Sequence, residues 1–427
     1  MAQSLLRNRD FRLVAGSVGF SALGDWVAMV ALGLHIKEVT DSGFAVAALW
    51  ICLFGPSVLV AGHAGLLVDR IEATRLLAAA SAIGAVVALA LGFFSATGPI
   101  LALTVILGIV FAITQPAEFA LVPPLAGGRI QEANGHMETA RYIGFGLGPV
   151  LGGIISAAGS FQVAMTVDAA TFAFVAVAAL TLRVRREPSQ ASESMQRARD
   201  GIAFLFRDRL LSLVMVVAFS SLLFMSAVWV GELFFVEDVL GRGDVAYGAM
   251  LSIWTVGMAL GAMLLSKRVA AAAVGAVGLA AAATQGAALA LPALWLSFAF
   301  FLACSFMGGL AHGLKNVMFR SLIHVRVPDE LHGRAFAAYN GIRNSAELGA
   351  FAAGGVLVAA IGARGTLAYA GGLSALAGVA GLLALARMYG GFVPTGPVGP
   401  AVDPGQGEAG EPPGAPPAGE AVEQAEA

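Results

Sequence analysis

The chain has 427 residues, of which 58% are hydrophobic and only 12% charged, with a mean hydropathy of +0.82. Soluble domains carry about 25% charged residues, so this composition excludes a soluble protein and predicts an all-α integral membrane protein. The net charge of -2 argues against a nucleic acid or an acidic polymer as partner.

Apolar runs long enough to cross a bilayer, roughly 20 residues each, recur along the chain and predict twelve transmembrane helices. Breaks at Gly, Pro and charged residues place them near 11–35, 44–67, 75–96, 98–120, 138–159, 162–183, 210–236, 245–266, 270–291, 293–318, 335–361 and 365–387. The basic N-terminus leads into an apolar run too long for a signal peptide, so we expect the first helix to be retained.

The distribution of Lys and Arg predicts the orientation in the membrane. With this layout, 19 basic residues fall on the side of the N-terminus and three fall on the other side, Lys37, Arg242 and Arg364. The positive-inside rule then places both termini in the cytoplasm of what we interpret as a bacterial plasma membrane.

The two halves of the sequence resemble each other. The stretch RDFR at Arg9 to Arg12 corresponds to RDRL at Arg207 to Leu210, and ARYIGFGLGPVLGG at Ala140 to Gly153 has the same outline as IRNSAELGAFAAGG at Ile342 to Gly355. Two six-helix halves with a central site are typical of transporters built from parallel repeats.

We therefore predict four parts: a six-helix bundle at 1–183, a cytoplasmic connector at 184–209, a second bundle at 210–389, and a tail at 390–427. The connector contains a basic stretch that can form an amphipathic helix on the inner leaflet. The tail, rich in Pro, Gly, Ala and Glu, is predicted to be disordered.

Small residues form a stripe on the predicted fifth helix. Gly144, Gly148 and Gly152 are spaced four apart and lie on one helix face, where they would let a neighbouring backbone approach closely. Such stripes also occur as general packing devices in many membrane proteins, and the stripe alone does not decide between the two interpretations.

The spacing of these glycines is more specific. Gly135, Gly144, Gly148-Pro149 and Gly152-Gly153 together resemble the fifth-helix antiporter motif of the major facilitator superfamily. The resemblance implies the twelve-helix fold of that family, in two pseudo-symmetric six-helix bundles, and export by antiport.

Two further stretches carry the same resemblance. GLLVDRIEATR, Gly65 to Arg75, is similar to the loop signature between helices two and three of the family and retains Gly65, Asp69 and Arg70. Glu72 stands where a glycine is usual and Arg75 is displaced by one position, which puts the tight turn of the loop in doubt. We expect Asp69 to interact with the positive N-terminus of the eleventh helix and to hold the halves together.

A third stretch, QPAEFALVPPL followed by ANG at Ala133 to Gly135, resembles the branch that includes macrolide and enterobactin exporters. The resemblance implies a proton antiporter that exports a drug, an antibiotic or a siderophore-like molecule.

Charged residues inside membrane spans are costly and usually functional. Asp25 lies near the midplane of the first helix and is the first candidate for a proton carrier, with a fixed structural aspartate as the alternative. Asp168, Glu232 and Lys315 are secondary candidates, and Glu232 is predicted to lie toward the outside, where it could attract a cationic substrate or exchange protons.

Four other charges are predicted to form pairs. Glu118 and Arg141 lie near the cytoplasmic ends of adjacent helices and could act in gating. Arg343 and Glu347 are four residues apart on the eleventh helix and could face the cavity, or could simply satisfy each other.

Other functional classes lack their motifs. The chain has no G-x-x-x-x-G-K-[ST], H-E-x-x-H or G-x-S-x-G sequence, so we expect no ATP hydrolysis, no enzyme activity, no metal and no cofactor. The expected partners are a small-molecule substrate, protons and membrane lipids. A lysophospholipid flippase or an importer of the same fold, or a non-transporting membrane sensor, remain alternatives.

Overall fold

The structure, a computed structural model, describes residues 5–184, 203, 205–328 and 331–391. Within these ranges the side chains of residues 60–70, 131, 333, 334 and 337 are not described. The predicted disordered tail lies almost entirely outside the described residues, as does most of the predicted amphipathic connector.

Throughout the described ranges the chain is helical, with short turns between helices. Ten helices come first: α1 Arg9–Thr40, α2 Gly43–Arg70, α3 Ala73–Leu91, α4 Thr97–Ala120, α5 Ile130–Ala157, α6 Phe161–Thr181, α7 Arg209–Phe234, α8 Asp244–Leu260, α9 Val274–Ala290 and α10 Phe298–Arg326. The last helical stretch, His332–Tyr389, is broken at Gly362, whose φ of 70° and ψ of 173° are not helical. Residues 332–361 form α11 and residues 363–389 form α12.

Short helical pieces lie beside these helices. They are the five-residue helix Val122–Ala126, the π-helical turns Phe235–Val239 and Gly261–Leu265 that continue α7 and α8, and the 3-10 turns Leu5–Arg7, Ser266–Arg268, Ala271–Ala273 and Leu291–Ala293.

The predicted spans correspond to these helices, with two differences. Among the described residues, nine helices are long and apolar enough to cross a membrane, and one of them, Ala338–Tyr389, contains most of α11 and all of α12. The fifth span was predicted to start at residue 138, and the helix that contains it, α5, begins earlier, at Ile130. Its first turns carry Glu132 and Glu138, which hydropathy alone interprets as a loop.

The helices pack in two groups, α1 to α6 and α7 to α12. Equivalent contacts recur in both groups: α1 packs on α5 as α7 packs on α11, and α3 packs on α6 as α9 packs on α12. Between the groups, α5 packs on α8 and α2 packs on α11. This arrangement is the predicted pair of pseudo-symmetric six-helix bundles.

Glycine allows many of these helices to approach closely. A Cβ at Gly309 or Gly313 of α10 would collide with the backbone of α8, and a Cβ at Gly286 of α9 would collide with the backbone of α12 at Ala375. Without a hydrophobic force between helices in lipid, close backbone contact of this kind is a main source of association.

Candidate functional site

The candidate site lies between the two bundles, which close it at one end. The end that contains the C-terminal end of α1 is called the Lys37 end. The opposite end, which contains the N-terminal end of α5, is called the Arg129 end. The N-terminal bundle forms one wall of the site and the C-terminal bundle forms the other.

Asp25 is held where α1 and α6 approach most closely. A Cβ on the preceding residue, Gly24, would collide with the side chain of Thr171 on α6, so only glycine permits this approach. Asp25 lies within electrostatic range of Asp168, Glu118 and Arg141. The first helix, the fourth, the fifth and the sixth thus bring their charged residues to one region of the N-terminal bundle.

The carboxylates of this region are poorly satisfied. Asp168 is fully buried, and neither of its carboxylate oxygens has a hydrogen-bond partner in the described structure. One oxygen of Asp25 is likewise buried and unpartnered, while the other accepts a long hydrogen bond of 3.4 Å from Ser21 on the same helix. Carboxyl groups that are buried in a membrane interior without hydrogen-bond partners are suited to bind and release a proton.

Glu118 and Arg141 lie 3.9 Å apart between α4 and α5, and both are largely buried. The Arg141 guanidinium also stacks over Phe119, 4.8 Å from the ring centroid, and lies 3.8 Å from Glu138. The arginine is therefore shared between two carboxylates and an aromatic face at the Arg129 side of the bundle.

The C-terminal wall carries the opposite charge. Lys315 of α10 is buried, and its Nζ donates a hydrogen bond of 3.4 Å to Ser221 of α7, whose hydroxyl lies 3.3 Å from that of Ser374. Arg343 and Glu347 of α11 lie 3.9 Å apart, in the predicted i,i+4 relation.

Glu232, predicted to lie toward the outside, is buried near the Lys37 end. It lies in the last turns of α7 with 3% of its surface exposed, within electrostatic range of Tyr247. The role predicted for Glu232, attraction of a cationic substrate or proton exchange, stays a prediction, and next to it Gly231 packs against Thr366 and Leu367 of α12.

The glycine stripe of α5 lies against α1 in its own bundle. A Cβ at Gly144 would meet the backbone of Gly19 and Leu23, and one at Gly148 would meet Leu23 and Trp26. Further along, Gly152 contacts Val27 and Val30. Gly135, at the start of the motif, has open space around its Cβ position.

The other motif positions face the opposite bundle. A Cβ at Gly153 would lie 2.5 Å from the carbonyl oxygen of Asp244 on α8, and the Pro149 carbonyl lies against Gly248. Next to them, the backbone N–H of Val150 donates to the Ser252 hydroxyl at 3.2 Å. The motif therefore joins α5 both to α1 and to α8.

The repeat on α11 reproduces this division. A Cβ at Gly354 would contact Ala227 and Val230 of α7, in its own bundle, while one at Gly355 would contact Ala47 and the Gly43 carbonyl of α2, in the opposite bundle. In each Gly-Gly pair, one glycine contacts a helix of its own bundle and the other contacts a helix of the opposite bundle.

Little of the loop motif can be placed. The side chains of Asp69 and Arg70, and hence the predicted contact of Asp69 with α11, lie outside the described residues. Arg75 is largely exposed and its Nε lies 2.9 Å from Glu72. Glu72 has φ -56° and ψ 122°, a conformation open to any residue, so its replacement of the usual glycine does not strain the turn.

Aromatic residues that were not predicted fill the space between the bundles. Trp26 of α1 meets Trp229 of α7 at 6.3 Å between ring centroids, and Phe54 of α2 stacks on Phe351 of α11 at 5.7 Å. A small cavity lies beside them, lined by Trp26, Met29, Val30, Trp50, Trp229, Tyr247 and Leu251.

The Lys37 end is closed by an ion bridge that was also not predicted. Lys37, at the end of α1, places its Nζ 2.9 Å from Glu237 and 2.8 Å from Asp238, both in the π-helical turn after α7. The lysine also lies over the Phe234 ring. No local pattern in the sequence indicates a contact between residues about 200 positions apart.

Long apolar helices with buried charged residues between them are typical of a membrane transporter. The sequence model of the Major Facilitator Superfamily matches residues 14–350. The chain belongs to this superfamily of secondary transporters.

Solved transporter structures share the fold at low identity. The nucleoside transporter NupG matches with a TM-score of 0.70 at 15% identity, over 87% of this chain and 98% of the other. A POT family transporter in complex with a thioalcohol-conjugated peptide matches with a TM-score of 0.69 at 12% identity, over 89% and 96%. No curated protein sequence matches the chain.

Proposed function

We propose that this chain exports a small amphipathic molecule, such as a drug, an antibiotic or a siderophore-like compound, in exchange for protons. Transport would proceed by alternating access, with the two bundles rocking about the central cavity. The observation that carries the proposal is the pair of buried carboxyl groups, Asp25 and Asp168, in which one oxygen of Asp25 and both oxygens of Asp168 lack hydrogen-bond partners.

Proton binding explains these two residues better than a structural role does. A carboxylate kept for structure in a membrane interior is normally paired or hydrogen-bonded.

The proposed gating residues divide between the ends. If both termini are cytoplasmic, as the basic residues predict, the Lys37 end faces outward and the bridge from Lys37 to Glu237 and Asp238 closes the outer side. Glu118, Arg141 and the loop residues Asp69, Arg70 and Arg75 would then act on the cytoplasmic side. The bacterial plasma membrane and the division into bundles at 1–183 and 210–389 with a connector and a tail belong to the same proposal.

An amphipathic substrate agrees with the lining of the space between the bundles. Trp26, Trp50 and Trp229 provide apolar surface with few polar groups, and such surface suits molecules with a large apolar part. The related structures are titled as nucleoside and POT family transporters, and their low identity carries no substrate over to this chain.

The test is accumulation of a panel of fluorescent dyes and antibiotics in an efflux-deficient bacterial host that expresses the chain. We expect lower accumulation with the wild type, abolished by a protonophore and by Asp25→Asn. Ser21→Ala, which removes only the long hydrogen bond to Asp25, is the matched control and should retain most export. Unchanged accumulation of the whole panel in well-expressed protein would contradict drug export.

A further inference from the structure

A separate cleft lies in the C-terminal bundle. Its lining contains charged side chains, unlike the cavity beside Trp26 and Trp229. The cleft is formed by α7, α10 and α11. Its lining residues fall into an apolar group and a polar group. The apolar group includes Met215, Phe219, Leu222, Phe319 and Ile342, and the polar group is Lys315, Asn316, Tyr339 and Arg343.

Lys315 enters this cleft with no carboxylate in direct contact, although that of Glu347 lies within electrostatic range. It has 3% of its surface exposed, and no carboxylate in the described part of the chain lies within 4 Å of its Nζ. Its hydrogen bond to Ser221 is long, at 3.4 Å, and the serine is neutral. A buried ammonium group with only a hydroxyl partner is an unusual arrangement for a membrane interior, where cations are paired.

Arg343 supplies a second cation that is only loosely held. Its side chain is 39% exposed, and the single carboxylate near it, that of Glu347, lies 3.9 Å away. That distance exceeds hydrogen-bond length, so the guanidinium fork keeps its donors for another acceptor. The cleft thus has two cations and one nearby carboxylate, an excess of positive charge.

The neighbouring polar residues do not supply the missing negative charge. Asn316 Nδ2 lies 2.9 Å from His312 Nε2, and His312 Nδ1 lies 3.4 Å from Gln285 Oε1. The Gln285 amide nitrogen is in turn directed at the sulfur of Met225. These groups form a chain of neutral contacts that holds α9, α10 and α7 together behind the cleft.

We infer that the cleft binds the negatively charged group, a carboxylate or a phosphate, of an amphipathic substrate between Lys315 and Arg343. This inference rests on the proposed function, because it assumes that the chain transports an amphipathic molecule and that this cleft receives it. It names the class of that substrate. The apolar lining from Phe219, Leu222 and Phe319 receives the apolar part of the same molecule. Glu347 is the group that the bound anion displaces from Arg343.

The test is a binding measurement, so it does not depend on proton coupling or on the direction of transport. The full chain is placed in nanodiscs of neutral lipid, and equilibrium binding of radiolabelled 1-naphthylacetate is measured. Competition is then measured with 1-naphthyl phosphate, with the neutral 1-naphthylacetamide and with the cation 1-naphthylmethylamine. Lysophosphatidic acid is added in a further arm to represent a membrane lipid.

We expect the acid and the phosphate to bind about tenfold or more tightly than the amide, with the amine weakest. Lys315→Gln and Arg343→Gln should each remove the preference for the acid while leaving amide binding unchanged. Lys267→Gln, a lysine outside the cleft, is the matched control and should retain the preference. Binding of lysophosphatidic acid alone, with the same dependence on Lys315, would support the anion site and identify its source as lipid.

Equal affinity for the acid and the amide in the wild type would overturn the inference. So would an acid preference that persists in both Lys315→Gln and Arg343→Gln, provided that both variants bind the amide normally and are therefore folded. If the binding result holds and cellular export fails, the anion site stands and the proposed function is wrong. If export holds and the acid preference is missing, only the anion site is wrong.

Discussion

Gly153 of α5 and Gly355 of α11 occupy equivalent positions, and each contacts the start of a helix from the opposite bundle. Gly153 lies against Asp244 and Val245 at the N-terminus of α8, while Gly355 lies against Gly43 and Phe44 at the N-terminus of α2. The two bundles are thus joined near the Lys37 end by two pseudo-symmetric contacts, both of which need a residue without a side chain.

Gly153→Val should therefore separate α5 from α8. The new side chain would collide with the backbone at Asp244, which no rotamer change can relieve, so the closed form of the Lys37 end loses stability. We expect transport to fall about tenfold and the distance between spin labels at Val39 and Arg242 to lengthen. The measurement is pulsed electron paramagnetic resonance in a background without Cys52 and Cys304.

Gly135→Val is the control for that experiment, because its Cβ would enter open space although Gly135 belongs to the same motif. If both variants behave like the wild type, close contact at Gly153 has no role in closing the Lys37 end.

Lys37→Gln should open the same end by a different route. The lysine holds two carboxylates within 3 Å and is itself almost buried, so its loss leaves Glu237 and Asp238 repelling each other. We expect the population with a closed Lys37 end to fall about tenfold, equivalent to about 1.4 kcal/mol. The double variant Glu237→Gln with Asp238→Asn should have a similar effect, and adding Lys37→Gln to it should change little.

Additive effects of the lysine and carboxylate substitutions would contradict a shared bridge. Lys267→Gln provides a control for the loss of one positive charge.

Asp25→Asn and Asp168→Asn should each abolish proton coupling while substrate can still cross the membrane. Each substitution keeps the shape of the side chain and removes its ability to carry a proton. In proteoliposomes we expect net transport driven by a pH gradient to cease, while exchange of labelled for unlabelled substrate continues. If exchange is lost together with net transport, the carboxylates act in substrate binding or in folding, and not in proton coupling.

Gly24→Ala should destabilise the N-terminal bundle. The added methyl group collides with Thr171, and we expect a loss of about 1–3 kcal/mol, measured as a lower melting temperature in detergent. Thr171→Gly should restore part of this loss, because it removes the atoms that collide. Gly16→Ala lies on the same helix with open space around its Cβ and should melt like the wild type. A melting temperature for Gly24→Ala that matches Gly16→Ala would show that α1 and α6 are not in close contact there.

Much of the fold could be predicted because apolar length is a strong signal in lipid. The spans follow from hydropathy, the similarity of the halves follows from matching stretches of sequence, and the family was implied by the resemblance of Gly135, Gly144, Gly148-Pro149 and Gly152-Gly153 to its motif. The start of α5 could not be placed, because Glu132 and Glu138 make its first turns polar. The break at Gly362 was placed within a few residues, because its positive φ favours glycine.

Less of the candidate site could be predicted from the sequence. Asp25 and Asp168 are visible as charges in apolar segments, but their missing hydrogen-bond partners depend on packing between α1 and α6. The Lys37 bridge and the contact of Trp26 with Trp229 join positions about 200 residues apart. The periodic pattern of apolar residues in the sequence does not predict such contacts. Only a pattern of substitutions that change together, or a structure, could reveal them.

The most direct test of proton-coupled export is the direction in which a pH gradient moves the substrate identified by the cellular assay. Purified protein is reconstituted in proteoliposomes with an acidic or an alkaline lumen, and substrate uptake is compared with protein-free vesicles. Antiport moves protons out of an acidic lumen and substrate inward, so we predict accumulation in the acidic lumen, abolished by nigericin and by Asp25→Asn. Accumulation in the alkaline lumen would indicate symport, and uptake that is indifferent to the gradient would indicate uncoupled transport; either result would contradict the account.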